Sequence, residues 1–306
     1  MAIATGTFPN ASSGVTYLAE WIEEKWGERV NEFYRNKLVA APFFTDRSDE
    51  LSAGGSALYT PNTVEFSAAA KTVATAITLN ANSDTKNTLT IDQWYESSFA
   101  IEDNAAAQVK HSYSLMERYA KNAGYAIAKN LDTAICALFD DFTNVVGSST
   151  NTLGDSDIRA AFAYLESAGA DVMESAFFVS PNVFWKQIQG IDKFSLAVNS
   201  PVNDPTAKMP SAYLYGRPVY VTNQIPTRTA SCGGKVNALM TPDAIHWGTS
   251  PLGSGGSLGG KVGSAGIRVQ SNYSPEYLST ITTADILYGV AVNRATGGVT
   301  ILTSTA

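Results

Sequence analysis

The stretch NTLTIDQWYESSFAIEDNAAAQ, Asn87 to Gln108, is where one chain conformation gives way to another. Leu89 and Ile91 alternate with Thr88 and Thr90, the period-two pattern of a strand. After Glu102 and Asp103 the apolar spacing changes to three and four residues. Val109, Tyr113, Met116, Ala120, Ile127, Leu131, Ala134, Leu138 and Phe142 then fall on one stripe of a helix, and Lys110, Glu117, Lys121 and Asp132 fall on another face. Asp103 is placed to cap that helix. Unbroken from 104 to 142, it would reach roughly 58 Å at about 1.5 Å per residue, where an ordinary helix has only about 11–12 residues. Gly124 is the one position expected to thin or kink it.

Working toward the N-terminus, residues 57–99 read as extended chain. Val73, Ile77 and Leu79 alternate with Thr and Ala as one strand, NANSDTKN (80–87) is a polar tip, and Leu89 and Ile91 begin the return. Such a hairpin carries little apolar mass, and an isolated pair of strands is marginal in water. A neighbouring subunit is therefore expected to cover it. Upstream, Leu18, Ile22, Trp26, Val30 and Phe33 recur at helical spacing with Trp21 beside them, and residues 1–15 read as a polar arm.

Working toward the C-terminus, a helix is expected over 155–167, stopped by Gly169. The strand AFFVS (176–180) is followed by a short helix with Pro181 in its first turn. Strand-like runs follow at 218–222, 236–240, 244–247, 266–270 and 286–293. The tract GSGGSLGGKVGSAG, Gly253 to Gly266, is a loop by composition.

The whole chain has 306 residues, 44% of them hydrophobic but only 16% charged, against roughly 25% charged in an average soluble chain. Fewer charges lower the cost of burying surface between subunits. Net charge is −7, which argues against a basic nucleic-acid binder. Two separated cysteines, Cys136 and Cys232, form neither a metal spacing nor a disulfide framework, as expected of a reducing compartment. The opening MAIATGTFPNASSG lacks a basic, then apolar, signal pattern. No apolar run approaches the ~20 residues of a membrane span.

Candidate chemistry is thin. Gly255, Gly260 and Lys261 echo a phosphate-binding loop, but Val262 stands where Ser or Thr would hold magnesium, and Gly263 where a helix should begin. His111 reads as a solvated residue, His246 as a packed or hydrogen-bonded one, and neither has a nucleophile beside it. Glu102 and Asp103 read as helix-start acids rather than a catalytic pair. Cys136 reads as buried and inert. No catalytic residue, cofactor or metal site is expected. The candidate functional residues are a subunit interface: Trp21, Trp26, Val73, Ile77, Leu79, Leu89, Ile91, Trp94 and Tyr95.

The order of arm, two-stranded loop, very long helix and mixed α/β remainder resembles the major capsid proteins of tailed bacteriophages with the Hong Kong 97-type fold. Asn87 to Gln108 is similar to the segment where their extended loop returns into the spine helix, with Ile91-Asp92, the aromatic pair Trp94-Tyr95, the acidic turn Glu102-Asp103 and Gln108. Leu131-Asp132 resembles the usual ending of that helix. LYGRPVYVTNQIP (214–226) resembles a strand and turn of the axial domain, and ADILYGVAVNRATGGVTI (284–301) resembles the closing peripheral strands.

The resemblance implies an α+β fold divided into an N-terminal arm (1–50), an extended loop (54–100), a spine helix and peripheral domain (101–150), an axial domain (153–265) and returning strands (266–306). It also implies a protein that is not an enzyme, assembling as hexamers and pentamers into an icosahedral shell around double-stranded DNA without reading its sequence. A portal protein would be a partner, with scaffolding or decoration proteins left open. It would be made in the host cytoplasm and end in the virion. Two alternatives remain at this point. One is an encapsulin-like nanocompartment of the same fold, distinguished by protein cargo instead of DNA. The other is an α+β hydrolase or binding protein using the glycine-rich loop, distinguished by a compact monomer.

Overall fold

The computed structural model describes residues 35, 38–52, 54–63, 65–81, 83–104, 115–188, 190–191, 213–228, 233–252, 261–262 and 267–305. In chain order the elements begin with β1 (Thr45–Asp46), β2 (Ala57–Asn62), β3 (Thr85–Thr90), β4 (Gln93–Glu102), α1 (Leu115–Ala137) and β5 (Asn144–Gly147). Next come α2 (Asp155–Ser167), β6 (Ala176–Val179), a π-helical turn (Val183–Ile188), β7 (Tyr213–Leu214), β8 (Arg217–Val221) and β9 (Lys235–Met240). The last are β10 (Ile245–Ser250), β11 (Lys261–Val262), β12 (Arg268–Ser274), β13 (Ser279–Val292) and β14 (Gly298–Thr303).

The fourteen residues of β13 organise the first sheet. β4 runs antiparallel along one edge, from Gln93 opposite Tyr288 to Glu102 opposite Ser279. β12 and then β10 share the opposite edge, and β1 and β11 complete the sheet. The second sheet has the order β5-β14-β9-β6-β8-β7, with β5 on β14 and β6 on β8 parallel and the other neighbours antiparallel.

The two faces of the second sheet explain its apolar runs. In AFFV, Phe178 enters one core while Phe177 and Val179 enter another. A strand covered on both faces has no reason to alternate. Ile158, Ala161 and Leu165 of α2 pack on the Phe177 side together with Val183, Phe184 and Ile188 of the π-helical turn. Gly169 ends this helical segment at φ +74°, a left-handed turn that costs glycine little.

α1 supplies the other core. Ala123, Ile127, Leu131 and Ile135, spaced by four, are buried with Phe139 against Ala284, Ile286 and Tyr288 of β13. The stripe read from sequence thus holds at Ile127 and Leu131 but turns toward Ile135, Cys136 and Phe139 near its end. Ala134 and Leu138 are only partly buried. The helix passes through Gly124 without interruption and stops at Ala137, followed by a 3₁₀ turn (Leu138–Asp140). Phe142 is therefore a core residue outside the helix. Asp103 and Asn104 are already helical, while residues 105–114, with the donors Asp103 would cap, lie outside the described residues.

One charge sits inside this core. Asp132 is fully buried, and its Oδ1 accepts the backbone N–H groups of Ala40 at 2.8 Å and Ala41 at 3.1 Å. Its Oδ2 is buried with no hydrogen-bond donor among the described residues. Burial raises this carboxyl above its ordinary range, and the N–H groups of Ala41, Ala40 and Val39 work against the rise. Asp132 thereby ties the chain at 38–41 to α1. Next to that tie, Phe43 and Phe44 pack on Phe178, with ring centroids 5.2 and 5.4 Å away.

Candidate subunit interface

Between β2 and β3 the chain departs from the strand expected over 73–79. The paired strands are Ala57–Asn62 and Thr85–Thr90, with Leu58 opposite Leu89. Residues 65–81 form a long loop with a turn in which Thr75 N–H donates to the Thr72 carbonyl. The alternation of Val73, Ile77 and Leu79 is real, but among the described residues no strand lies beside it to pair. Pro61 lies inside β2. It is tolerated because this ladder has only two strands, so a missing N–H can face outward.

Every described residue from 65 to 81 is exposed. Val73 is 92% exposed, Ile77 70% and Leu79 81%. The polar contacts found there are internal: Ser67 Oγ donates to Asn80 Oδ1 at 3.2 Å, and Asn80 Nδ2 donates to the Ser67 carbonyl at 3.1 Å. Tyr59 and Phe66 are exposed in the same arm, and the sequence reading missed both. Phe66 lies in a run of small residues with no periodicity, and Tyr59 stands in an extended stretch with no alternating apolar pattern of its own.

Two expected interface residues are corrected. Leu89 and Ile91 are buried within their own chain, at 4% and 7% exposure, where they pack on Leu51. They root the arm because Leu51, forty residues upstream, folds back over them. Near this root Asn87 Nδ2 donates to Asn293 Oδ1 at 3.2 Å.

Trp94 and Tyr95 are successive residues of β4 and point to opposite faces of the sheet. Trp94 is 65% exposed, yet its indole N–H donates to Asp285 Oδ2 at 3.1 Å. Asp285 also receives Arg268 through both of its oxygens, at 2.9 and 2.6 Å. This one carboxylate therefore links β4, β12 and β13 in a charge-assisted fork. Tyr95 is on the helix side and stacks on Tyr288, with centroids 6.0 Å apart. Trp21 and Trp26 lie outside the described residues.

A second exposed apolar spot is the turn between β12 and β13, with Tyr277 and Leu278 at its tip. The Asp103 carboxylate accepts from Tyr273 Oη at 2.8 Å, and Asp103 N–H donates to the Leu278 carbonyl at 2.9 Å. That turn is thus fastened to the acidic segment before α1.

The sites weighed for chemistry sort differently. Lys261 and Val262 pair with Val269 and Arg268 as a strand, so no phosphate-cradling helix opens directly after Lys261. His246 is buried, with Nε2 2.9 Å from Asp243 Oδ1. Burial pushes the Cys136 thiol well up, helped by the charge of Asp132, the opposite of an activated nucleophile. His111 and Cys232 lie outside the described residues. Among the described residues no helix is long and apolar enough to cross a membrane.

Solved structures share this arrangement. A chain of Mycobacterium phage Che8 superposes with a TM-score of 0.71 at 20% identity, over 92% of this chain and 97% of that one. The capsid structure of the cyanophage P-SCSP1u gives 0.73 at 13% identity, over 94% and 95%. The asymmetric unit of the bacteriophage PhiM1 mature capsid gives 0.69 at 11% identity, over 93% of each. A search of curated proteins gave no match. At such low identities these likenesses establish the fold: a mixed α/β fold shared with phage capsid structures.

The sequence model of the phage capsid protein family matches residues 85–301, more than two thirds of the chain, from β3 into β14. The chain belongs to that family, a family of structural proteins, and the expectation of a tailed-phage major capsid protein holds. The capsid reading is favoured over the nanocompartment alternative.

Proposed function

We propose that this chain is the repeating tile of an icosahedral shell, packed as hexamers and pentamers around double-stranded phage DNA, with the Hong Kong 97-type division of labour. The N-terminal arm (1–50) and extended loop (54–100) bind neighbouring copies. The spine helix and peripheral domain (101–150), with the returning strands (266–306), give a rigid plate. The axial domain (153–265) closes the capsomer. Val73, Ile77 and Leu79 on the loop, with Trp94 and Tyr95 at its base, are the interface residues within the described part, joined by Trp21 and Trp26 upstream. DNA is held by enclosure, as suits a net charge of −7. A portal protein, and a scaffolding or decoration protein where one is used, are the other partners, and the destination is the virion.

The observation that carries this reading is the exposed loop at 65–81, whose large apolar side chains join none of the cores among the described residues. Apolar surface left in water by a monomer is gained back when a neighbour covers it. The test is to express the chain alone and size the product by light scattering and electron microscopy. Capsomers or closed particles are expected. A stable monomer at high concentration would overturn the reading, and particles filled with a protein cargo would favour the nanocompartment.

A further inference from the structure

Gly248 of β10 and Gly289 of β13 are register partners across the first sheet, so both lack a side chain on the same face. Neither has a positive φ, so neither is needed for backbone freedom. Glycine inside a strand costs stability unless something approaches closely. A Cβ at Gly289 would stand 2.0 Å from the Thr90 carbonyl oxygen and 2.9 Å from Ile91 Cδ1. A Cβ at Gly248 would stand 2.8 Å from Leu51 Cδ1 and 3.5 Å from Leu89 Cδ2. At Gly289 the nearest atoms belong to the root of the arm, and at Gly248 they belong to Leu51, which covers that root, to the Arg47 backbone and to Leu89 of the root itself. Leu287 and Ala291, on the same face as Gly289, pack on that root as well, while Ala284, Ile286 and Tyr288 face α1 on the other side.

We infer that the Gly248–Gly289 pair is a seat that fixes the direction in which the arm leaves the body, and that shell assembly depends on it. The inference rests on the shell reading above. Thr90 presses on the face of β13 at Gly289, and Gln93 is already paired to the edge of the same strand at Tyr288. The chain passes from face to edge within three residues, which leaves little slack. A methyl at Gly289 must push the backbone of Thr90 away, and the tilt is carried along roughly 20 Å of paired strand. At Gly248 the obstacle is the far end of the Leu51 side chain, which can swing aside. The two positions therefore differ in kind.

The experiment compares Gly289→Ala, Gly248→Ala and the double variant Leu51→Ala/Leu89→Ala with the wild-type full chain. Three readings are taken: thermal unfolding, limited proteolysis within 62–85, and particle yield. Gly289→Ala is expected to keep a cooperative transition, because alanine loses less backbone freedom than glycine at this φ and the obstructed atoms lie outside the sheet. Its arm should be cut roughly tenfold faster through local opening, and its particle yield should collapse. Gly248→Ala should show the same changes in weaker form. The Leu51/Leu89 variant removes the apolar packing that holds the root on the seat, so it should match Gly289→Ala and serves if that variant does not fold. Wild-type proteolysis and yield in a folded Gly289→Ala, or in the Leu51/Leu89 variant, would overturn the inference. Absence of particles from the wild type would instead sink the shell reading, leaving the seat to be judged by proteolysis.

Discussion

Replacing residues 65–81 with a two-residue Asn-Gly turn is expected to give a subunit that folds and builds no shell. The deleted residues are exposed, and they belong to none of the buried clusters. β2 and β3 remain, and the short loop left between them, with Asn-Gly at its turn, suits antiparallel strands. Unfolding of the isolated subunit should change by under about 1 kcal/mol, as for other surface changes remote from the core. Assembly should respond very differently. Full burial of Val73, Ile77 and Leu79 would contribute on the order of 2 kcal/mol each at every subunit contact, and a shell multiplies that contact over all its copies. Sedimentation would show the loss directly, and normal particles from the shortened chain would count against the role given to the loop.

Asp132→Ala is expected to cost about 2–4 kcal/mol of stability at neutral pH, because it strands the Ala40 and Ala41 N–H groups in the core. Asp132→Asn keeps an acceptor for both and removes the buried charge, so it should stay within about 1 kcal/mol of the wild type. The comparison also has a definite pH sign. Burial raises the Asp132 carboxyl in the folded state, so the folded protein takes up its proton at a pH where the unfolded chain has already lost it. The stability contributed by protonation is complete below the ordinary aspartate range and is lost as pH rises through the raised value. Wild type should therefore gain on Asp132→Asn as the solution is acidified from neutral. Denaturant titrations of both proteins across that range check it, and a gap that moves the other way would contradict the assignment.

The elements legible in the sequence are those whose partners are near or whose period is strong. α2 occupies the expected residues 155–167 because its buried positions and its glycine stop are local signals. β6, β8 and β9 fall within a residue or so of the expected runs. β13 starts seven residues before the run expected at 286–293, because Thr282 and Asp285 look polar in sequence but are buried in the sheet. Asp285 meets an arginine that arrives from β12. The loop was recognisable as extended and poor in core, yet its pairing was misplaced toward 73–79, since period two records a face and not the presence of a partner. Leu89 and Ile91 looked like interface for a related reason: Leu51, which covers them, lies far upstream. The glycine seat has no local signature at all, since Gly248 and Gly289 become a pair only when β10 meets β13.

The most direct measurement is amide hydrogen exchange of peptides from 65–81 in the isolated subunit and in assembled particles. The account predicts rapid exchange in the subunit and strong protection that appears only once shells have formed. Protection already present in the lone subunit, or exchange in the shell as fast as in free chain, would contradict it.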